Sequence, residues 1–211
     1  MQAVWVSMAV FALAGAISPG PVNVIASALG ATQGFLRALP HVLGATLSYC
    51  AVVWLMGSSL QWVLVAYPEI AQVTQYVGAA YLLYLAVRIA GAQPSTPVVD
   101  THVATTLSAW TQGMLQGGLT QSLNPKAWLV ALSGVSLFVP EGPDSAARLL
   151  LFCAISGVVC FASVAAWAAL GRLIRHWLAH APYQRLFNRL LAALLVFTVY
   201  SMLAQACRIS D

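Results

Sequence analysis

Lys126 is the one lysine in this 211-residue sequence, and no other charged side chain lies between Thr101 and Pro140. It follows Asn124-Pro125, inside a stretch that is otherwise apolar or neutral. A second proline element, Ser18-Pro19-Gly20-Pro21-Val22-Asn23, interrupts the apolar N-terminal segment. Two prolines around a glycine remove backbone donors and relax the chain, so they break a helix rather than bend it. The half-helix that resumes after such a break starts with free N–H groups and a positive dipole end, which suits an anionic group such as a carboxylate. Pro21 and Pro125 are expected in the first turns of the two resumed half-helices, where proline is tolerated. Asn23 and Asn124 place an amide beside each break, and Lys126 adds an ammonium. The chemistry on offer is recognition of a small charged molecule, with the candidate substrate-binding and translocation residues Pro19, Gly20, Pro21, Asn23, Asn124, Pro125, Lys126 and Gln116.

Bond-making chemistry finds no support. There is no Ser-His-Asp arrangement and no phosphate-cradling glycine loop. The five acids, Glu69, Asp100, Glu141, Asp144 and Asp211, fall in expected loops or at the terminus. The four cysteines, Cys50, Cys153, Cys160 and Cys207, lie in apolar runs without CxxC spacing or a metal-ligand neighbour. They are expected as buried small apolar residues. No catalytic residue, metal or cofactor is expected.

The elements that must hold these residues are membrane helices. The sequence is 61% apolar and 7% charged, with a mean hydropathy of +0.84, where soluble domains carry about 25% charged residues. Positions 38–68, 149–171 and 190–207 contain no Asp, Glu, Lys or Arg, and about 18 or more such residues read as a span. The segmentation gives about six spans: a broken first segment over 3–31, then 38–65 and 73–90. A polar linker with Pro94 and Pro97 follows, then a second broken segment over 110–139 and spans over 146–170 and 190–207. Tyr67-Pro68-Glu69 and 140–144 are expected turns, and Arg172, Arg175, Arg185 and Arg189 an expected basic loop. Residues 1–211 form a single transmembrane domain. The net charge of +4 does not signal nucleic-acid binding, because the basic residues sit at span ends rather than in a patch. The first segment lacks the positive flank of a signal peptide and is expected to be retained.

Pro21 and Pro125 are 104 positions apart, near half the chain. The spacing points to two repeats, 1–91 and 106–211, joined by a linker over 92–105. Three spans in each would make the halves enter the membrane from opposite sides, as in many transporters. With the N-terminus outside, Arg37, Arg88 and the four arginines before the last span face the cytoplasm, against Arg148 and Arg208 outside.

Gln112, Gln116 and Thr120 recur every four residues on one helix face. That stripe either lines a watery route to the break or bonds neighbouring helices. Gly113 and Gly117, like Gly30 and Gly34, have the spacing of close helix packing. His41 is expected as a satisfied or solvated histidine, with proton uptake as the other possibility.

Ser18-Pro19-Gly20-Pro21-Val22-Asn23, Gly78-Ala79-Ala80-Tyr81-Leu82 with Leu85-Ala86, and Asn124-Pro125-Lys126-Ala127 resemble the signatures of the LysE/RhtB family of amino-acid exporters. The resemblance covers nearly the whole chain, and around Gly78 to Ile89 it is nearest the cysteine and O-acetylserine exporter branch. It implies a multi-pass carrier in a bacterial inner membrane that exports amino acids or close derivatives, driven by a proton or ion gradient, with both breaks at the transport site. The chain departs from the family at Gly44-Ala45-Thr46-Leu47-Ser48, where some members carry an acid. That departure leaves the coupling residue open and argues against a basic substrate.

The expected protein is therefore an all-α secondary transporter whose partners are a small amino acid, a coupling proton or ion, and lipid. Two rivals remain at this level. A membrane thiol-disulfide electron carrier would need reactive cysteines at the breaks, and none is near Pro19 to Pro21 or Pro125 in sequence. A passive small-solute channel is the other. Oligomeric state is left open.

Overall fold

The computed structural model describes residues 2–60, 68–91, 106–140, 142–174 and 180–210. They form eight α-helices: α1 (Gln2–Ile17), α2 (Pro21–Thr32), α3 (Phe35–Leu55), α4 (Pro68–Ala90), α5 (Thr106–Ser122), α6 (Pro125–Phe138), α7 (Ser145–Leu173) and α8 (Ala181–Ser210). A π-helical turn, Met56–Leu60, extends α3. Among the described residues, Phe35–Ser58 and α7 are each long and apolar enough to cross a membrane alone. The α1–α2 pair makes a third span when taken as one unit, bent by 65° at Ser18-Pro19-Gly20. The apolar stretches Tyr76–Ala90 and Pro125–Phe138 are shorter.

The outward faces are as apolar as the inward ones. Val6 and Val10 on α1, Leu47 on α3, Val87 on α4, Leu129 on α6, Val158 on α7 and Tyr200 on α8 are all exposed. A helix apolar all round has to be surrounded by apolar material, which for these faces is lipid. Inside, one apolar cluster joins Val42, Val53, Phe152 and Val164 around α3 and α7. A second joins Val24, Ile25, Leu82 and Leu195 between α2, α4 and α8. α3 packs on α5 and α7, α2 and α1 pack on α7, and α4 pairs with α8.

Apolar burial cannot drive helices together in lipid, so close approach has to. Gly44 of α3 sits on the Met114 carbonyl of α5, and Gly117 of α5 on the His41 carbonyl of α3. Gly30 of α2 and Gly171 of α7 lie in the same way on the Ala168 and Ser27 carbonyls of each other's helix. A Cβ at any of the four would overlap backbone. Gly113 and Gly117 thus form the packing seam their spacing indicates, but Gly34 does not. It caps α3 with φ 92°, a left-handed turn that glycine adopts without strain.

These contacts gather the C-terminal ends of α2, α4 and α7 with the N-terminal ends of α3, α5 and α8. Arg37, Arg88, Arg172, Arg185 and Arg189 all lie toward this end of the bundle. Three local expectations are corrected here. Pro68 and Glu69 belong to the first turn of α4 and not to a turn before it, because proline fits the first helical position. Arg172 lies in the last turn of α7, and Arg185 and Arg189 stand on α8, which begins at Ala181. The basic segment is therefore two helix ends, since arginine is a good helix former. Tyr67, the 92–105 linker, Glu141 and Arg175 lie outside the described residues.

Candidate functional site

A helix broken inside a bilayer has to find partners for every freed carbonyl and N–H. At the first break that accounting can be followed atom by atom. The Ser18 hydroxyl lies 3.4 Å and 3.3 Å from the Ala14 and Gly15 carbonyls. The Asn23 amide donates to the Ala16 carbonyl at 2.8 Å and to the Ser18 carbonyl at 3.0 Å. The Trp167 indole of α7 donates to the Ile17 carbonyl at 3.2 Å. The last turn of α1 is thus closed by side chains, two of them from beyond the break.

The second break is closed differently. Asn124 caps α6, its side-chain oxygen accepting from the Lys126 N–H at 3.2 Å. Its NH₂ donates to the Gln121 side-chain oxygen at 3.3 Å. The Trp128 indole donates to the Ser122 carbonyl at 2.7 Å. Gly78, the first residue of the Gly-Ala-Ala-Tyr-Leu element, lies directly on the Leu123 carbonyl, where a Cβ would not fit.

Lys126 joins the two breaks. Its Nζ donates to the Ser18 Oγ at 2.6 Å and to the Ser18 carbonyl at 3.2 Å, across 108 positions of sequence. The ammonium is half-buried and lies against the C-terminal, negative end of α1. Beside it the N-terminus of α2 has no capping side chain, because its N-cap residue is Gly20. An ammonium next to an uncapped helix N-terminus is a place where a carboxylate gains both charge and directed N–H donors.

A cavity of about 40 Å³ lies between the breaks, with Gly20, Asn23, Asn124, Lys126, Gln121 and Tyr49 in its wall. At roughly 10–15 Å³ for one water, it is sized for water, and an amino acid needs the walls to move apart. The prolines are not in that wall. Pro21 is buried and opens α2, Pro125 is half-buried and opens α6, and Pro19 is exposed. They set the backbone, and their neighbours present the polar groups.

Gln116 is not brought to the breaks. It lines a separate cavity of about 320 Å³ between α2, α4, α5 and α8. Its stripe runs inward along α5, with Gln112 exposed, Gln116 half-buried and Thr120 fully buried. His41 is not solvated but fully buried. Its Nε2 lies 3.3 Å from the Val22 carbonyl, an acceptor, so Nε2 carries the proton. That leaves Nδ1 a bare lone pair with no partner among the described residues. Cys160 is a further correction: α7 places it in the wall of the break cavity, although it is remote from both breaks in sequence. Cys50 and Cys153 face each other across α3 and α7, each thiol directed at the other's carbonyl, at 4.0 Å and 3.5 Å. Among the described residues no group of three or more His, Cys, Asp or Glu could hold a metal ion.

Sequence reasoning missed Gln121, Trp128 and Trp167, and named Gly78 only within the family resemblance. The tryptophans carried a usable signal, since an indole N–H in an apolar span has to find an acceptor. A broken helix end supplies one.

A cysteine/O-acetylserine efflux protein of Salmonella paratyphi A is 29% identical over 194 residues, covering 89% of this chain and 91% of its own. The proteins of the same description in Salmonella typhimurium and Escherichia coli K12 are 28% and 26% identical, over the same shares of each chain. No solved structure matches. The family model for the LysE type translocator matches residues 13–205, both breaks included, and the chain belongs to that family of membrane transporters, which are not enzymes.

Proposed function

We propose that this translocator exports a small zwitterionic amino acid, or a close derivative such as O-acetylserine, from the bacterial cytoplasm across the inner membrane. The observation that carries this reading is the reach of Lys126 from one helix break to the other, beside the uncapped N-terminus of α2. The substrate carboxylate takes the place of the Ser18 oxygens at the Lys126 ammonium and docks on the first turn of α2. Pro19, Gly20, Pro21 and Pro125 hold the two backbones apart, and Asn23 and Asn124 keep the breaks open. The efflux relatives, described by cysteine and O-acetylserine, support a small substrate. The absence of an acid among the residues lining the break cavity speaks against a basic one.

Six spans carry the transport: α1–α2, α3, α4, α5–α6, α7 and α8, in inverted repeats over 1–91 and 106–211. The packing supports the repeat, because exchanging the halves turns α3·α5 into α7·α1 and α2·α3 into α6·α7, all of which pack. α3·α7 and α4·α8 map onto themselves. The end carrying five described arginines faces the cytoplasm by the positive-inside rule, so the N-terminus lies outside. Toward the outer end, Phe11, Phe138 and Phe152 cluster edge-on or tilted with ring centroids 5.6–6.4 Å apart. Rocking one repeat against the other about the breaks, driven by a proton or ion gradient, alternates access.

Counterflow in proteoliposomes tests the reading. Vesicles preloaded with unlabelled O-acetyl-L-serine should take up the labelled compound transiently above equilibrium. Equilibration without overshoot would identify a passive pore, and no saturable amino-acid flux would reject export. The electron-carrier alternative is separated by the cysteines. A variant with Cys50, Cys153, Cys160 and Cys207 all changed to Ala is expected to transport at close to the wild-type rate. Cys50 and Cys153 meet carbonyls and Cys160 meets the Gln121 side-chain amide at 4.0 Å, so none of the three is bonded to a cation that would activate it. Loss of transport in a well-folded cysteine-free protein would contradict this.

A further inference from the structure

The 320 Å³ cavity that holds Gln116 is eight times the volume of the break cavity, and the transport site does not use it. Its volume falls in the range of small-molecule sites, about 300–1,000 Å³. It lies toward the basic end of the bundle, since Thr32 at the end of α2, Arg88 at the end of α4 and Gln184 at the start of α8 all line it. Ile25, Leu29 and Thr32 present one face of α2 to it at helical spacing. The same helix begins at the break cavity, with Asn23 only two residues before Ile25.

The polar lining is specific in kind. Arg88 stands at the mouth with its guanidinium 2.9 Å from the Tyr84 hydroxyl and 5.8 Å from that ring's centroid. No carboxylate pairs with it among the described residues. Gln184 is 8% exposed, and its side-chain amide has no partner among the described residues. The Gln116 amide is likewise open to the cavity, and the Asn188 side chain completes the wall. An unpaired guanidinium and two open amides around an apolar floor of Ile25 and Leu85 match a small zwitterion. The guanidinium is a fork for a carboxylate, and neutral amide oxygens accept from an ammonium. An anionic lipid headgroup would use Arg88 but would leave the Gln116 and Gln184 amides without a cation to accept from.

We propose that this cavity is a loading subsite at the cytoplasmic end, where Arg88 takes the amino acid's carboxylate and the Gln116 and Gln184 amides take its ammonium. The subsite rests on the export reading given above. Tyr81 lines it and meets Thr120, which stands on α5 between Gln116 of this cavity and Gln121 of the break cavity. Thr120 donates to the Gln116 carbonyl at 2.6 Å, so the Tyr81 hydroxyl, 3.5 Å away, donates to Thr120. Gln121, the next residue, already lines the break cavity. The substrate passes from one site to the other when this contact opens.

A loading subsite acts from one face only, and that asymmetry is the test. Initial rates of O-acetyl-L-serine flux are measured in inside-out and in right-side-out membrane vesicles, which present the cytoplasmic and the outer face. Arg88→Gln is expected to raise the half-saturating concentration at the cytoplasmic face about tenfold, with the maximal rate and the outer-face value within about twofold of wild type. Gln184→Leu, which leaves the mouth intact, should move the cytoplasmic value the same way by about threefold, and Arg88→Lys should recover part of the loss. Equal changes at both faces, or none at either, would overturn the subsite. So would a difference between wild type and Arg88→Gln that vanishes in pure phosphatidylcholine liposomes, which would assign Arg88 to an anionic lipid. No saturable flux in the wild type would reject the export reading and the subsite together, and is distinct from a symmetric response in an active carrier.

Discussion

Replacing Lys126 by methionine is expected to abolish or nearly abolish export while leaving folded protein in the membrane. Methionine matches the length of the side chain and keeps its apolar stem, so the packing of α6 survives. What disappears is the ammonium that bonds Ser18 at 2.6 Å and 3.2 Å. A charge-assisted contact in a partly dry cavity is worth about 2–4 kcal/mol, or about 30- to 800-fold in substrate binding. The Ser18 carbonyl keeps its second donor, Asn23 at 3.0 Å, so the break itself is not orphaned. Lys126→Arg should restore only part of the activity, because a planar guanidinium does not fit where a compact ammonium reaches two oxygens of one residue. Proteoliposome transport at matched protein levels decides the matter. Wild-type rates for Lys126→Met would remove the residue from the substrate path, and full activity for Lys126→Arg would reduce it to an interfacial anchor.

The breaks, the helical class and the membrane setting were legible in the sequence for one physical reason. Proline and glycine act on the backbone locally, and charge-free apolar runs answer to the bilayer, so neither needs tertiary information. The placement of Lys126 was legible as an anomaly, a lone charge in a neutral stretch, but its partner was not. Ser18 lies 108 positions away, and only packing brings the two together. Gln116 shows the opposite failure. Its spacing with Gln112 and Thr120 marked a polar helix face, but periodicity does not say which neighbouring helices that face meets. The structure gives it to α2, α4 and α8 and not to the breaks. For His41, expected as satisfied or solvated, the structure decides: Gly117 draws α5 onto the His41 carbonyl and shuts the side chain in, with Nε2 on the Val22 carbonyl and Nδ1 without a partner among the described residues.

Asn23 and Asn124 look equivalent in the sequence, one beside each break, and the structure gives them opposite hydrogen-bonding roles. A single chemical change should therefore have opposite consequences at the two positions. Asn23 works as a donor, its NH₂ held between the Ala16 and Ser18 carbonyls at 2.8 Å and 3.0 Å. Asn23→Asp keeps the shape but turns that nitrogen into an anionic oxygen facing two carbonyl oxygens. The Ala16 carbonyl loses its donor at about 1–3 kcal/mol, the Ser18 carbonyl is left with Lys126 alone at 3.2 Å, and a negative charge is set against both oxygens. The expected result is loss of folded protein, seen as low yield and a broad, early unfolding transition in detergent. Asn124 works as an acceptor, its oxygen taking the Lys126 N–H at the start of α6. Asn124→Asp keeps that cap and places a negative charge at a helix N-terminus, which is favourable by about 0.3–1 kcal/mol. It gives up only the longer bond to Gln121, 3.3 Å, so this variant should fold and melt within a few degrees of wild type. Its transport should nevertheless fall, because a carboxylate at the break competes with the substrate's own for Lys126. Equal melting temperatures for the two aspartate variants would show that the donor role of Asn23 does not hold the break together.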